Sequence, residues 1–398
     1  MIETPNNISH SNAGLRALRH QISDASALNL EGSVVHPDLL AATDGIAITF
    51  SENRSFAEIA VLTVQIRAIL GPNWGYRDES VELSRGRFQG LTALPPPEDP
   101  PSVGDVWLLT RQLASLDGIQ SAIPLFAQVV PDPMLGEVDE LSVDEAQDEP
   151  IMDPTLQREW HLQALQVSQA WELLRQRNVQ PGQGVTVAVL DTGYTNHPEI
   201  FERLIKEDGQ PEIVRGVNLI EGRDPRDPLE GLFPLTVPSH GTSVASVIAS
   251  PVGPPANWPL NKTWMTGIAP AAQIFMVRMT THVVLLLPNK ITTAVREAVD
   301  AGADVINVSL GLPYYWPALH AAIQYATEQG VIVVAASGNY WPQVVYPARF
   351  PEVLAAACCG LKRREWRWAS SGEDVDVLAP GVAVQRAYSK RNGDETDF

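Results

Sequence analysis

Cysteine is nearly missing from this 398-residue sequence, and the two present, Cys358 and Cys359, are adjacent. Neighbouring cysteines can pair only through a strained disulfide, so a disulfide scaffold is excluded, and too few thiolates remain for a zinc site. Such usage fits a reducing compartment. Basic charge is also scarce: 28 Lys and Arg stand against 47 Asp and Glu, a formal net charge of -19. An acidic chain repels phosphate backbones unless it carries a local basic patch. Lys362-Arg363-Arg364 is too short to be one, so nucleic acid is excluded as a partner. Long hydrophobic runs are missing as well. VVLLLP at Val283–Pro288 is far below the length that spans a bilayer, and Met1–Gln21 has no apolar core of a signal peptide. These absences predict a cytoplasmic protein without a membrane partner.

What is present is an apolar content of 44%, enough for a sizeable core, in a chain long enough for two or three domains. Residues 1–44 show no strong periodicity and read as an N-terminal extension. From Gly45 the pattern sharpens. Gly45–Phe50 predicts a strand, and Phe56–Leu70 a helix opened by a Ser55/Glu58 capping box and stopped by Gly71-Pro72. Glu82–Leu94 predicts two strands turning near Gly86. A helix carrying Val106, Leu109, Leu113 and Leu116 on one face should end at Gly118, before a last strand at Ile123–Val130. The order β-α-β-β-α-β is that of a split, ferredoxin-like α+β domain over 45–133. Residues 134–154, rich in Asp and Glu, read as an exposed acidic linker.

Residues 155–398 change character again. Apolar strands at Val185–Leu190, Gln273–Arg278, Val305–Ser309 and Val331–Ala336 are separated by helical patterns, including Ala318–Glu328. Continuous apolar strands between amphipathic helices predict an α/β fold, a parallel β-sheet with helices on both faces. Chemistry in such sheets lies beyond the carboxyl ends of the strands. Asp191 follows one strand directly. It could hold a histidine in one tautomer or simply begin a turn. His240 opens Ser239-His240-Gly241-Thr242-Ser243 and is placed as a fixed general base or as a helix cap. Asn339, after Ser337-Gly338, could donate to an oxyanion or serve as a turn residue.

Taken in order, these segments resemble the subtilisin-like serine proteases. Val187–Gly193 is similar to the family's aspartate motif, with His197-Pro198 following, and His240–Ala245 to its histidine motif. Gly267–Ala272, Val305–Gly311, Ala336–Asn339 and Asp376–Gly381 match further family segments. The resemblance covers about 155–398. It implies a serine endopeptidase in which Asp191 orients His240, His240 takes the nucleophile's proton, and Asn339 stabilises the oxyanion. Ser309, Leu310, Gly311, Ser337 and Gly338 would line the substrate cleft, and His197 would be structural. The N-terminal domain resembles the family's inhibitory propeptide in pattern, so processing is expected between about Pro131 and Gln157. Peptide or protein substrates and the chain's own propeptide are the implied partners. No cofactor is required; calcium is common in relatives, but no acidic cluster specifies a site here. The family's serine lies in a Gly-Thr-Ser-x-Ala motif shortly after the stretch that Asp376–Gly381 resembles, and Phe398 is reached without it. Gly241–Ser243 belongs to the histidine motif, and Ser370, Ser371 and Ser389 lack the context. The expectation is therefore a catalytic domain cut short before its nucleophile and inactive as given. The alternative is a non-catalytic pseudoprotease or inhibitor that binds peptides.

Overall fold

A computed structural model describes residues 43–51, 54–83, 86–96, 101, 103–126, 159–220, 224–230, 239–254, 256, 264–281, 288–339, 341, 343–392 and 395–397. The acidic linker 134–154, the expected processing region and nearly all of the N-terminal extension lie outside the described residues.

The first domain begins with β1 (Thr43–Phe50) and α1 (Phe56–Leu70). Ser55 caps α1 reciprocally. Its hydroxyl accepts from the Glu58 amide at 3.3 Å, and its own amide donates to Glu58 Oε2 at 2.9 Å. There follow β2 (Gly75–Asp78), a small hairpin of β3 (Val81–Leu83) and β4 (Gly86–Phe88), β5 (Gly90–Leu94), α2 (Val103–Ala114) and β6 (Ile119–Phe126). The antiparallel sheet runs β2-β5-β1-β6. Ile46, Ile48 and Phe50 from β1 meet Leu62 and Ile66 of α1 and Val106 and Leu113 of α2 in one core. Three boundaries differ from the pattern reading. α2 stops at Ala114 rather than Gly118, because Gly118 at φ +97° belongs to the turn into β6. That turn starts β6 four residues early, and the polar strand GYRD of β2 carries no apolar alternation to betray it.

The second domain opens with α3 (Trp160–Ala164) and α4 (Val167–Gln176). Next come β7 (Thr186–Asp191), the short α5 (Pro198–Phe201), a hairpin of β8 (Lys206–Glu207) and β9 (Gln210–Val214), and β10 (Gly216–Asn218). Then follow α6 (His240–Ala249), β11 (Gln273–Arg278), α7 (Pro288–Asp300), β12 (Val305–Val308), α8 (Pro317–Glu328), β13 (Ile332–Ala336), β14 (Leu354–Cys359) and β15 (Val377–Pro380). The sheet order is β10-β11-β7-β12-β13-β14-β15, and every pairing is parallel. β7 sits between β11 and β12 with both faces covered, which is why its sequence is apolar throughout. Ala188 and Leu190 pack with residues of α7 and α8, while Val187 and Val189 pack with Ala245 and Ala249 of α6. On that second face, away from α6, Ile332, Leu354 and Val377 stand exposed.

Residues 382–389 fold back onto α6. Val382, Ala387 and Ser389 are buried. Ser243 donates its hydroxyl to the Ala387 carbonyl at 2.7 Å, and the Ala387 amide donates to Ser246 Oγ at 2.9 Å. The Ser389 amide donates to Ser239 Oγ at 2.9 Å, whose hydroxyl returns a bond to the Ser389 carbonyl. A closing hairpin of β16 (Lys390–Asn392) and β17 (Glu395–Asp397) follows.

The two domains touch. Ala47 of β1 belongs to the larger core, Phe88 and Ile123 pack against it, and β3 lies beside α8. Between them is a cavity of about 420 Å³ whose lining includes Arg87, Gln89, Tyr315, His320 and Gln324. Trp316 is buried in the core, and Tyr315, half exposed, stands edge-on to His320, Tyr346 and Phe350.

Candidate active site

Asp191 ends β7 in the middle of the sheet and is fully buried. A carboxylate there must find donors or go neutral. Oδ1 accepts from the Thr192 amide at 2.7 Å and from His240 Nδ1 at 2.8 Å, whereas Oδ2 is buried without a partner among the described residues. A carboxylate only accepts, so the proton of the imidazole sits on Nδ1 and the free pair on Nε2. That is the tautomer a general base needs. His240 is the first residue of α6 and remains partly exposed.

Small residues bring α6 this close. Gly241 lies against the Gly193 carbonyl, and Gly193 itself takes φ +106° beneath the Pro228 carbonyl. Thr242 Oγ1 accepts the Thr195 amide at 2.7 Å, tying the chain after Asp191 to the helix after His240. The sequence motif Asp-Thr-Gly and the motif His-Gly-Thr are thus two halves of one contact.

Asn339 is exposed immediately beyond β13, bridging to Ala369, and Gly338 takes φ +102°. Ser309 Oγ accepts from Asn307 Nδ2 at 2.9 Å, Leu310 is buried in the core, and Gly311 is pressed against Val345. Ser337 is buried, with its backbone carbonyl accepting from the Val345 amide. All five substrate-cleft candidates therefore lie at the carboxyl ends of β12 and β13, one or two strands from Asp191. His197 Nδ1 accepts the Glu199 amide at 3.2 Å and caps α5, a structural role.

Motif reading missed two buried acids, one at the opposite end of α6 from His240 and one beside the Asp191–His240 pair. Glu230 is buried behind it, and burial pushes its carboxyl up to about 8, against the Ser239 backbone bond that favours the anion. Its place in a loop without periodicity gave no signal. Glu199, buried at the start of α5, is pushed up to about 7 by burial, despite bonds from Met265 and Ser250. The folded chain therefore holds this proton between about pH 4.5 and 7, where the unfolded chain has lost it. Its stabilisation is full below that window and is lost as pH rises through 7, by at most about 3 kcal/mol. Glu199→Gln should accordingly flatten the fall in the urea midpoint between pH 5 and 8. An unchanged slope would mean the carboxyl is ionised throughout.

Among the described residues no group of three or more His, Cys, Asp and Glu is placed to hold a metal, and no helix is long and apolar enough to cross a membrane.

Residues 182–397 match the family model described as "Subtilase family". Among curated proteins the chain is 32% identical over 208 residues to Subtilisin Savinase of Lederbergia lenta, covering 52% of this chain and 67% of that protein. The Alkaline protease of Shouchella clausii has the same identity over 208 residues, with 48% of its length covered. Thermitase of Thermoactinomyces vulgaris is 28% identical over 233 residues, 58% of this chain and 73% of that protein. The chain thus spans about half to three quarters of the length of these relatives.

Two expectations are overturned. The reading of a domain cut short and inactive for want of its serine is corrected by the family match, which continues through residue 397, and by an Asp191–His240 pair assembled at bonding distance. Ser239, Ser243 and Ser389 flank that pair; in the arrangement described their hydroxyls contact the Ser389 carbonyl, the Ala387 carbonyl and Thr195 Oγ1 respectively. Asn218, also on this side of the sheet, braces its own loop through the Asp227 carbonyl and the Ile220 amide. The cytoplasmic placement is overturned as well: it rested on absences alone, and Savinase and the alkaline proteases give it no support. Adjacent cysteines and a polar first stretch carry no address by themselves. With its motifs in order, its acid and base hydrogen-bonded at the sheet's centre, and more than half its residues matched, this chain belongs to the subtilase family of serine proteases.

Proposed function

We propose that the chain hydrolyses peptide bonds through a serine hydroxyl activated by His240 and Asp191. The single observation that carries this reading is the 2.8 Å bond between His240 Nδ1 and buried Asp191 Oδ1, which leaves Nε2 as the base. In this mechanism Nε2 removes the serine proton as the hydroxyl attacks the substrate carbonyl. Asp191 offsets the charge of the imidazolium, and His240 then returns the proton to the leaving amine. Asn339, exposed beside the cleft, donates to the oxyanion. Ser309–Gly311 and Ser337–Gly338 pair with an extended substrate backbone. The chemistry uses no cofactor.

The N-terminal domain acts as an inhibitory propeptide for this site. Support comes from its sheet and hairpin, which pack on the catalytic domain beside α8 while leaving a cavity of mixed polar and apolar lining between them, the kind of contact that can be released.

A fluorophosphonate probe followed by peptide mass mapping tests the reading on the full chain. One serine should take the label, and His240→Ala should abolish it. A folded chain that takes up no label, or one labelled equally in His240→Ala, would overturn the mechanism.

A further inference from the structure

Glu230 stands where it can hold the catalytic histidine from behind. Both carboxylate oxygens lie 3.1 Å from the Ser239 amide, the residue before His240. The Thr192 hydroxyl donates to Oε2 at 3.2 Å, and Thr192 Oγ1 accepts the Gly241 amide, the residue after His240, at 3.1 Å. One carboxyl group therefore grips the peptide on both sides of the base, directly and through one threonine. The grip has strain to resist. Ser239 takes φ +63° and ψ 16°, a left-handed conformation that costs a non-glycine residue about 1 kcal/mol or more. Glu230 is itself fixed, since its amide donates to the Tyr194 carbonyl at 2.7 Å and it is almost fully buried.

We propose that Glu230 is a positioning residue of the Asp191–His240 pair, fixing the backbone on either side of His240, and that its proton is felt at the Asp191–His240 hydrogen bond. This rests on the peptidase reading for its consequence in catalysis, but not for its structural content. The charged groups that act on Glu230 are Asp191 from β7, which disfavours its ionisation, and Arg278 from β11, which favours it. Arg278 also donates to the Leu229 carbonyl at 2.9 Å, anchoring the loop one residue before the acid. Ionised Glu230 accepts both donors fully; once protonated it has one oxygen less to offer. Burial places that change near pH 8.

The test uses the full chain and two variants, Glu230→Gln, which keeps shape and one acceptor, and Glu230→Ala, which keeps neither. The downfield proton resonance of His240 Nδ1, assigned by its loss in His240→Ala, is followed from pH 6 to 9.5. In the unaltered chain it should move with a midpoint near 8. In Glu230→Gln it should persist without that step, and in Glu230→Ala it should broaden. Hydrolysis of a peptide substrate should lose about 10- to 100-fold in kcat in Glu230→Ala with little change in KM. An identical pH step in Glu230→Gln would overturn the proposal, as would unchanged kcat in a folded Glu230→Ala. A merely structural role would lower stability in both variants and leave the pH step in place, which also overturns it. If the unaltered chain shows the resonance step but hydrolyses nothing, the peptidase reading fails and the positioning stands.

Discussion

Asp191→Asn should lower kcat/KM for a peptide substrate by about 10⁴-fold while the fold persists, a magnitude taken from the same exchange in another serine protease. The argument is one of donors and acceptors. Asp191 Oδ1 accepts two bonds at once, from the Thr192 amide and from His240 Nδ1. An asparagine with its carbonyl oxygen in the Oδ1 place would still accept both bonds, but its NH₂ would fill the buried Oδ2 place, where no acceptor stands among the described residues. With its NH₂ in the Oδ1 place it would set a donor against the Thr192 amide, and the imidazole would have to accept at Nδ1 and carry its proton on Nε2, so the base would be lost. The loss of charge adds to the effect, because no anion remains to stabilise an imidazolium in a site this buried. Steady-state kinetics with circular dichroism as the fold control checks it. A variant retaining a tenth or more of the activity would remove Asp191 from the mechanism.

The part of the site legible in the sequence is the part that local chemistry writes. An acid directly after VTVAVL, and a histidine followed by Gly-Thr-Ser, are short segments whose spacing reflects a strand end and a helix start. The parallel sheet was legible for a similar reason, since strands covered on both faces must be apolar throughout. What escaped is non-local. Glu230 is in a loop, and nothing in its neighbours predicts that it reaches Ser239. Ser389 pairs with Ser239 across 150 residues, so its neighbours in sequence do not announce that it closes the back of the site. The packing of 382–389 likewise rests on hydrogen bonds with small polar side chains of α6, which no local motif announces. In the first domain the misplaced strand edges follow from the same limit. Gly118 was read as a helix cap by its type, but its positive φ serves the turn into β6.

Gly241→Ala should disable the site from a position that carries no functional group. A Cβ on Gly241 would stand 2.1 Å from the Gly193 carbonyl oxygen and 3.2 Å from Asp191 Cβ. The first contact is impossible, so either α6 or the Asp191–Gly193 turn has to move. The turn has nowhere to go. Gly193 is held at φ +106°, and a Cβ there would already meet the Pro228 carbonyl at 2.4 Å, with the Arg278 side chain at 3.0 Å. The helix is pinned as well, by Thr242 to Thr195 and by Ser243 and Ser246 to Ala387. Overpacking of this kind costs about 1–3 kcal/mol, and a displacement near 1 Å between acid and base costs about 10²-fold in kcat. Both are expected together, as a lowered urea midpoint and a slowed turnover with KM nearly unchanged. Gly184→Ala supplies the contrast. It too has positive φ, +76°, but no atom lies within 4 Å of the added carbon. It should show the backbone cost of about 1 kcal/mol and normal kcat. If Gly241→Ala also kept normal kcat, the close approach of the two motifs would be a packing convenience. If only Gly241→Ala loses turnover, the separation between the Asp191 turn and α6 is what sets the 2.8 Å bond on which the base depends.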